Sequence, residues 1–245
     1  MRQADYNLNA MPWAERLPCV RGGVWDLDNT LYRLNEALEH SFNIAIARAV
    51  TEAGVDKPFD EVVAMAMKSF EEHGYSGRVF VQDHGVDREH LHFTAHGLID
   101  ETVIEASRET VRLFATLPLE HVLVTHGAKI WARKVLRHIG LQDWFPEERM
   151  FAYEDYNFES KAESPRAFRA ALDALGLPAR EIIFVEDTER NLRIPHELGF
   201  GTVLLHHGQP PAQTAPYVDF ACASANELLE ALYARSLSAN LPPER

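Results

Sequence analysis

The chain has 245 residues, 46% of them hydrophobic and 25% charged, with a formal net charge of −13 at pH 7. That length suits one large domain or a core with one insertion, and an acidic chain without a long basic run is not expected to bind a duplex or a long single strand. Small anionic substrates stay open, because the local field of a site can oppose the net charge. The two cysteines, Cys19 and Cys222, form no Cys-x-x-Cys unit, which suits a reducing cytosol. No apolar run approaches the roughly 20 residues of a membrane span, and residues 1–10 are polar, without the apolar core of a leader. A soluble, cytoplasmic protein is expected, with no membrane partner; the oligomeric state stays open.

The first apolar run, residues 24–27, reads as a strand that leads into Asp26-Leu27-Asp28-Asn29-Thr30-Leu31-Tyr32. Within regular strand, Asp26 and Asp28 would share one face and repel each other. Asn29, a turn former, suggests that the strand ends here and leaves both acids at its carboxyl edge, where open α/β sheets bind ligands. Like charges this close call for a cation or a shared proton.

Residues 34–117 read as helical. Leu34, Leu38, Phe42, Ile46 and Val50 recur at near-helical spacing, as do Phe59, Val62, Val63, Ala66, Met67 and Phe70. An all-helical insert at this point is expected to cap the edge that carries the acids. Within it, Tyr75, Phe80 and Phe93 are candidates to stack on a base, although aromatic residues in helices also pack cores. His84, His90, His92 and His96 cluster, with 92 and 96 one helical turn apart. Ordinary surface histidines are expected rather than a zinc site, because no cysteine is near and no third ligand is tightly spaced.

From about residue 119 strands and helices alternate, with short apolar runs at 121–125, 181–186 and 202–205, which predicts βαβ units and a parallel sheet flanked by helices, an α/β fold. Residues 129–139 form a helix stopped by Gly140, and Ser164-Pro165 opens another that Gly176 closes. Thr125 stands at a strand-to-helix junction, where a hydroxyl beside free backbone N–H groups suits a phosphoryl oxygen, or serves as an ordinary helix cap. Lys161 precedes the Ser164 cap by three residues, toward the positive end of that helix, or is a solvated lysine. Glu186 and Asp187 end a buried run; facing Asp26 and Asp28, they would complete an oxygen-only set that suits Mg²⁺.

The string from Asp26 to Tyr32 resembles motif I of the haloacid dehalogenase superfamily, in particular its pyrimidine 5′-nucleotidase-like phosphatases. Thr125 matches the motif II Thr/Ser, with His126 where the family usually has Asn. Lys161 resembles the motif III lysine, with no proline directly after it and Pro165 displaced by one. Ile182-Ile183-Phe184-Val185-Glu186-Asp187-Thr188 resembles motif IV, continued by Arg190-Asn191-Leu192. The resemblance implies a Rossmann-like core from 19–33 and 118–235, a helical cap at 34–117, and terminal extensions at 1–18 and 236–245. It also implies phosphoryl transfer through Asp26, with Asp28 as acid and then base. Thr125, His126 and Lys161 would hold the phosphate, and Mg²⁺ would be held by Asp26, Asp28 through its carbonyl, Asp187 directly and Glu186 as second acid. The expected partner is a small phosphorylated substrate, a nucleoside 5′-monophosphate with pyrimidines first. Other small phosphomonoesters, a phosphomutase and a non-catalytic ligand-binding protein share this fold. A dehalogenase would also share Asp26, but needs neither Asp28 as an acid nor two further acids for a metal.

Overall fold

The computed structural model describes residues 19–73 and 75–239; the expected extension 1–18 and residues 240–245 of the one expected at 236–245 lie outside the described residues, while 236–239 continue the last helix. Six strands form one sheet: β1 (Gly22–Trp25), β2 (Glu120–Val124), β3 (Met150–Phe151), β4 (Ile182–Glu186), β5 (Gly201–Leu205) and β6 (Phe220–Cys222). Their order is β3-β2-β1-β4-β5-β6, and every neighbouring pair is parallel. The α/β fold with a parallel sheet is thus as the sequence predicts. Strands β3 and β6, of two and three residues, escape the sequence reading because so short a run has no visible period.

The chain builds outward from β1 through β2 to β3, then returns to lay β4 on the other side of β1. This reversal opens a crevice at the carboxyl ends of β1 and β4, the usual ligand position of such sheets. In register, Trp25 lies beside Leu123 of β2 and Val185 of β4. The residues that follow these three therefore emerge side by side at one edge. Strand β1 itself begins with two glycines for a reason. The Trp25 indole folds back over Gly23, where a Cβ would lie 2.6 Å from its nitrogen. That indole N–H donates to Nδ1 of His121 at 3.1 Å, and burial pushes His121 down to about 4, leaving a neutral acceptor.

Helices α1 (Glu36–Glu52), α2 (Phe59–His73), α3 (Arg78–Asp83), α4 (Arg88–Leu98) and α5 (Arg108–Thr116) occupy the stretch between β1 and β2. After β2 come α6 (Lys129–His138), α7 (Arg166–Leu175), α8 (Arg193–Glu197) and α9 (Ala225–Ala239). Side chains cap the inserted helices: Asn35 accepts from the Leu38 N–H at the start of α1, Asp87 from His90 on α4 and Ser107 from Thr110 on α5. At α7 the Ser164 hydroxyl oxygen accepts the Arg166 N–H at 3.2 Å, and Gly176 closes the helix in the left-handed region, φ 62°.

Three apolar clusters hold these elements. On one face of the sheet, Trp25, Leu123 and Val185 pack with Trp131 and Val135 of α6, Leu228 and Leu229 of α9, and Leu113 and Phe114 of α5. On the other, Val24, Val122 and Phe184 pack with Phe168 and Ala171 of α7. The third lies wholly within the insert and joins Ala47, Val50, Val62, Ala66, Phe80, Leu91 and Ala95. Helices α1 to α4 therefore share a small core of their own, whereas α5 packs on the sheet side.

The stripe read along α2 is divided in the structure. Val62 and Ala66 face inward, while Phe59, Met67 and Phe70 are exposed. Phe80, one of the base-stacking candidates, is fully buried in the helical cluster and offers no face to a ligand. Truncating it with Phe80→Ala is expected to cost about 3–5 kcal/mol in a denaturant melt. A loss under about 1 kcal/mol would mean that this cluster does not hold the inserted helices together.

Candidate active site

Asp26 directly follows β1 and continues its ladder, its N–H donating to the Val185 carbonyl at 3.0 Å. The chain then turns, with the Leu31 N–H returning to the Leu27 carbonyl, and Asn29 takes a left-handed φ of 59°, a conformation that Asn tolerates better than most residues. The turn serves the site through the Asn29 side chain, whose amide donates to Asp187 Oδ2 at 2.8 Å while its Oδ1 accepts the Leu34 N–H. On the far side His207, also left-handed at φ 52°, bonds through Nε2 to the Asn29 carbonyl at 2.7 Å. The loops after β1 and β5 are thereby fastened to each other beside β4.

Lys161 is the centre of the arrangement. It is 1% exposed, and its ammonium donates to Asp26 Oδ1 and to Glu186 Oε2, each at 2.6 Å. Burial works to lower the pKa of this lysine, but the two carboxylates outweigh burial and raise it. The carboxylates themselves are pushed up to about 7. For Asp26 the main cause is burial, with Glu186 adding to it and Lys161 opposing. For Glu186 it is again burial, opposed by Lys161 and reinforced by Asp187. Asp187 is raised by burial as well.

Asp26, Glu186 and Asp187 each bring a carboxylate oxygen to within 4.8 Å of the others, the one group of this kind among the described residues. When ionised, three carboxylates against one ammonium leave an excess of two negative charges in a poorly hydrated crevice. An oxygen-only donor set with that excess fits a hard divalent cation of the Mg²⁺ kind. The side chain of Asp28, expected in this set, lies apart from it. Its Oδ1 accepts from the Trp131 indole N–H at 2.7 Å and from the Tyr32 hydroxyl. Burial raises its pKa, and these donors work against the rise. Of the four expected metal acids, the structure gathers three through their side chains.

Thr125 is fully buried just beyond β2; its hydroxyl oxygen accepts the Gly127 N–H at 2.9 Å, and the hydroxyl itself bonds toward the Asp28 carboxylate and helps to hold its pKa down. Its carbonyl accepts from the Tyr156 hydroxyl at 2.6 Å. The neighbouring His126, in the position where an asparagine was expected, has a different attachment. Nε2 accepts the backbone N–H of Lys161 at 3.0 Å, and burial next to Lys161 holds the ring well below its ordinary pKa, hence neutral. His126 thus positions the lysine segment, with Tyr153 against its ring at 4.9 Å.

Of the four clustered histidines of the insert, His92 is buried rather than at the surface as expected, and it and His96 have hydrogen-bond partners. His92, on α4, bonds through Nε2 to Glu154 Oε2 at 3.0 Å, and His96 Nδ1 to the His92 carbonyl at 2.7 Å. Burial pushes His96 down to about 4. The other oxygen of Glu154 accepts the Lys129 N–H at the start of α6, so the insert is tied to the sheet domain within reach of the site. A cavity of about 560 Å³ opens beside Asp187, lined among others by Asn29, Arg33, His206, His207 and Gln209; that volume suits a small molecule.

Sequence reasoning missed Asn29, Tyr32, Trp131 and Glu154 as site residues. Tyr32 carried a usable signal, one helical turn after Asp28. Trp131 carried none, since an indole inside an amphipathic helix reads as packing.

Residues 20–199 match the haloacid dehalogenase-like hydrolases, and the chain belongs to that family of hydrolytic enzymes. No curated protein matches the sequence at a significant level. Among solved structures it is similar to a HAD phosphatase from Thermococcus onnurineus, with TM-score 0.61, 18% identity and coverage of 87% of this chain and 98% of that one. It is similar too to the putative HAD-hydrolase YfnB from Bacillus subtilis bound to magnesium, with TM-score 0.58, 15% identity and coverage of 91% and 99%. An L-2-haloacid dehalogenase from Xanthobacter autotrophicus follows with TM-score 0.54, 15% identity and coverage of 91% and 100%. At these identities the likeness shows the shared fold. Among the described residues, no helix is long and apolar enough to cross a membrane.

The raised carboxylates make stability depend on pH. Asp26 and Glu186 titrate at about 7 when folded, against ordinary values of 3.8 and 4.5, so between those limits the folded chain holds more protons than the unfolded one. Their contribution is full at about pH 4 and is lost as the pH rises through about 7. In metal-free protein the melting temperature of wild type relative to Asp26→Asn should fall across this window, and added Mg²⁺ should raise the wild-type value most at the alkaline end. A pH-independent difference would show that these acids are not coupled through burial.

Proposed function

We propose that this chain is a Mg²⁺-dependent phosphomonoester hydrolase that works through an aspartyl phosphate on Asp26. The observation that carries the reading is the Asp26, Glu186 and Asp187 cluster with its excess of negative charge, because the dehalogenase alternative has no use for two further acids beside the nucleophile, one of them buried. Mg²⁺, when bound by Asp26, Asp187 and the Asp28 carbonyl with Glu186 behind them, would screen the charge of the phosphoryl oxygens and the nucleophile.

The chain's own groups divide the remaining work. Asp26 Oδ2, bonded only to the Thr30 hydroxyl at 3.2 Å, is the oxygen free to attack phosphorus, since Oδ1 is held by Lys161. Lys161 and the Thr125 hydroxyl hold the equatorial charge. Asp28 gives its proton to the departing oxygen, then takes one from the water that cleaves the acyl phosphate. The cap formed by the inserted helices keeps other water away. Nucleoside 5′-monophosphates, pyrimidine first, are the substrates we favour, on the resemblance of the Asp26–Tyr32 string to the pyrimidine 5′-nucleotidase-like phosphatases.

Purified protein with Mg²⁺ should release inorganic phosphate from members of a monophosphate panel, and chelation should stop it. Asp26→Asn should abolish turnover, and Asp28→Asn should lower it by about 10²–10⁴-fold, the usual worth of a general acid or base. Retained turnover in Asp26→Asn, an isomerised product without free phosphate, or halide release from 2-haloacids would each overturn the reading.

A further inference from the structure

The unusual surroundings of Asp28 lead one step beyond that reading. A buried carboxylate is normally satisfied by several donors spread over both oxygens. Here two donors from different elements converge on one oxygen, the Trp131 indole of α6 at 2.7 Å and the Tyr32 hydroxyl from the turn after β1. The second oxygen, Oδ2, points the other way. A methyl group built on Gly127 would lie 3.3 Å from Asp28 Oδ2 and 3.3 Å from Thr125 Oγ1. Oδ2 therefore faces the Thr125–Gly127 turn, whose Thr125 hydroxyl bonds to the Asp28 carboxylate and stays within reach of a phosphoryl group held there.

We propose that Tyr32 and Trp131 are positioning residues that clamp Oδ1 of Asp28 and so reserve Oδ2 as its single proton-carrying oxygen, aimed at the leaving group. The inference rests on the phosphomonoesterase reading and deepens it. With two hydrogens already directed at Oδ1, a third has no lone pair in good geometry there. The proton of the acid form accordingly sits on Oδ2. In the first step the Asp26 oxygen forms a bond to phosphorus as the bond to the leaving oxygen breaks, and the Oδ2 proton goes to that oxygen. In the second, a water oxygen attacks the phosphorus, the acyl phosphate P–O bond breaks to restore the Asp26 carboxylate, and the water proton returns to Oδ2.

The clamp is itself braced. Phe42 of α1, in the insert, packs edge-on against the Trp131 ring at 5.6 Å and 74°, and the Lys134 ammonium lies 5.8 Å from the ring centre. The indole is fully buried, so it has no solvent alternative to Asp28 for its N–H. Tyr32 is likewise buried. Its hydroxyl is held in the neutral form, because burial and the Asp28 charge raise its pKa well above the ordinary value, and it remains a donor.

Leaving-group dependence tests the clamp, because an aryl phosphate with a good leaving group needs little help from an acid and an alkyl phosphate needs much. The comparison is of kcat/KM, which reports the steps through formation of the phospho-enzyme, for p-nitrophenyl phosphate and uridine 5′-monophosphate. Tyr32→Phe and Trp131→Phe should each lower kcat/KM for the alkyl ester by about 10- to 100-fold, the scale of a misdirected catalytic group. The aryl ester should lose less than about 3-fold. Asp28→Asn serves as reference and should show the same selectivity in stronger form.

If Asp28→Asn is selective while both clamp variants slow the two esters equally, or neither, the positioning role is wrong and the hydrolase reading stands. If Asp28→Asn is itself unselective, Asp28 is not the acid and both ideas fall. Thermal melts identify a variant that does not fold; Tyr32→Phe removes a single oxygen and decides the matter if Trp131→Phe is lost.

Discussion

The ammonium of Lys161, sealed between Asp26 and Glu186, is the interaction on which the rest of the site depends. A lone lysine in such a place would shed its proton, and two lone carboxylates would take one up. Together, the ammonium keeps its proton, while the two carboxylates still ionise only at about 7; charging them carries a desolvation cost of several kcal/mol per ion, which mutual attraction in a weakly screened crevice offsets only with short, well-directed contacts. Everything nearby supplies that geometry. Parallel pairing of β1 with β4 sets the two acids at one level, and His126 grips the backbone N–H of Lys161 itself.

The same interaction explains why the carboxylates stay short of charge balance. Lys161 satisfies one oxygen of Asp26 and one of Glu186. The others meet weak or neutral donors, such as the Thr30 hydroxyl and the Thr188 N–H. Asp187 accepts from the amide of Asn29 and the adjacent hydroxyl of Thr188, both neutral donors. A protein that wanted only a stable core would fill this space with apolar side chains. Retained, uncompensated acid at the switch point of a parallel sheet is an investment in ligand binding, the ligand being positive or surrounded by positive charge.

Much of this was legible in the sequence, for reasons that differ between residues. Asp26, Glu186 and Asp187 are readable because each ends an apolar run that only a buried strand can use, and parallel strands that start level end level. Lys161 was harder: nothing local separates a buried lysine from a solvated one, and only the family motif directed attention to it. His126, set against substrate by the family resemblance, carries a contact that no spacing announces: its neutral, buried ring accepts the Lys161 N–H and so holds the lysine loop. The outward faces of Phe59, Met67 and Phe70 show the limit of periodicity, which identifies a stripe but not how wide a neighbour covers it. Trp131 and Glu154 work across more than twenty residues of intervening chain, and no spacing rule reaches that far.

Glu154 has a mechanical consequence. One of its oxygens meets His92 on an inserted helix and the other receives the first N–H of the helix that carries Trp131. Lifting the insert would strip Glu154 of its imidazole while leaving its second contact loaded, and would at the same time withdraw Phe42 from the indole. Any movement of the insert would thus reach the Trp131 indole, and through it Asp28, along a single short helix.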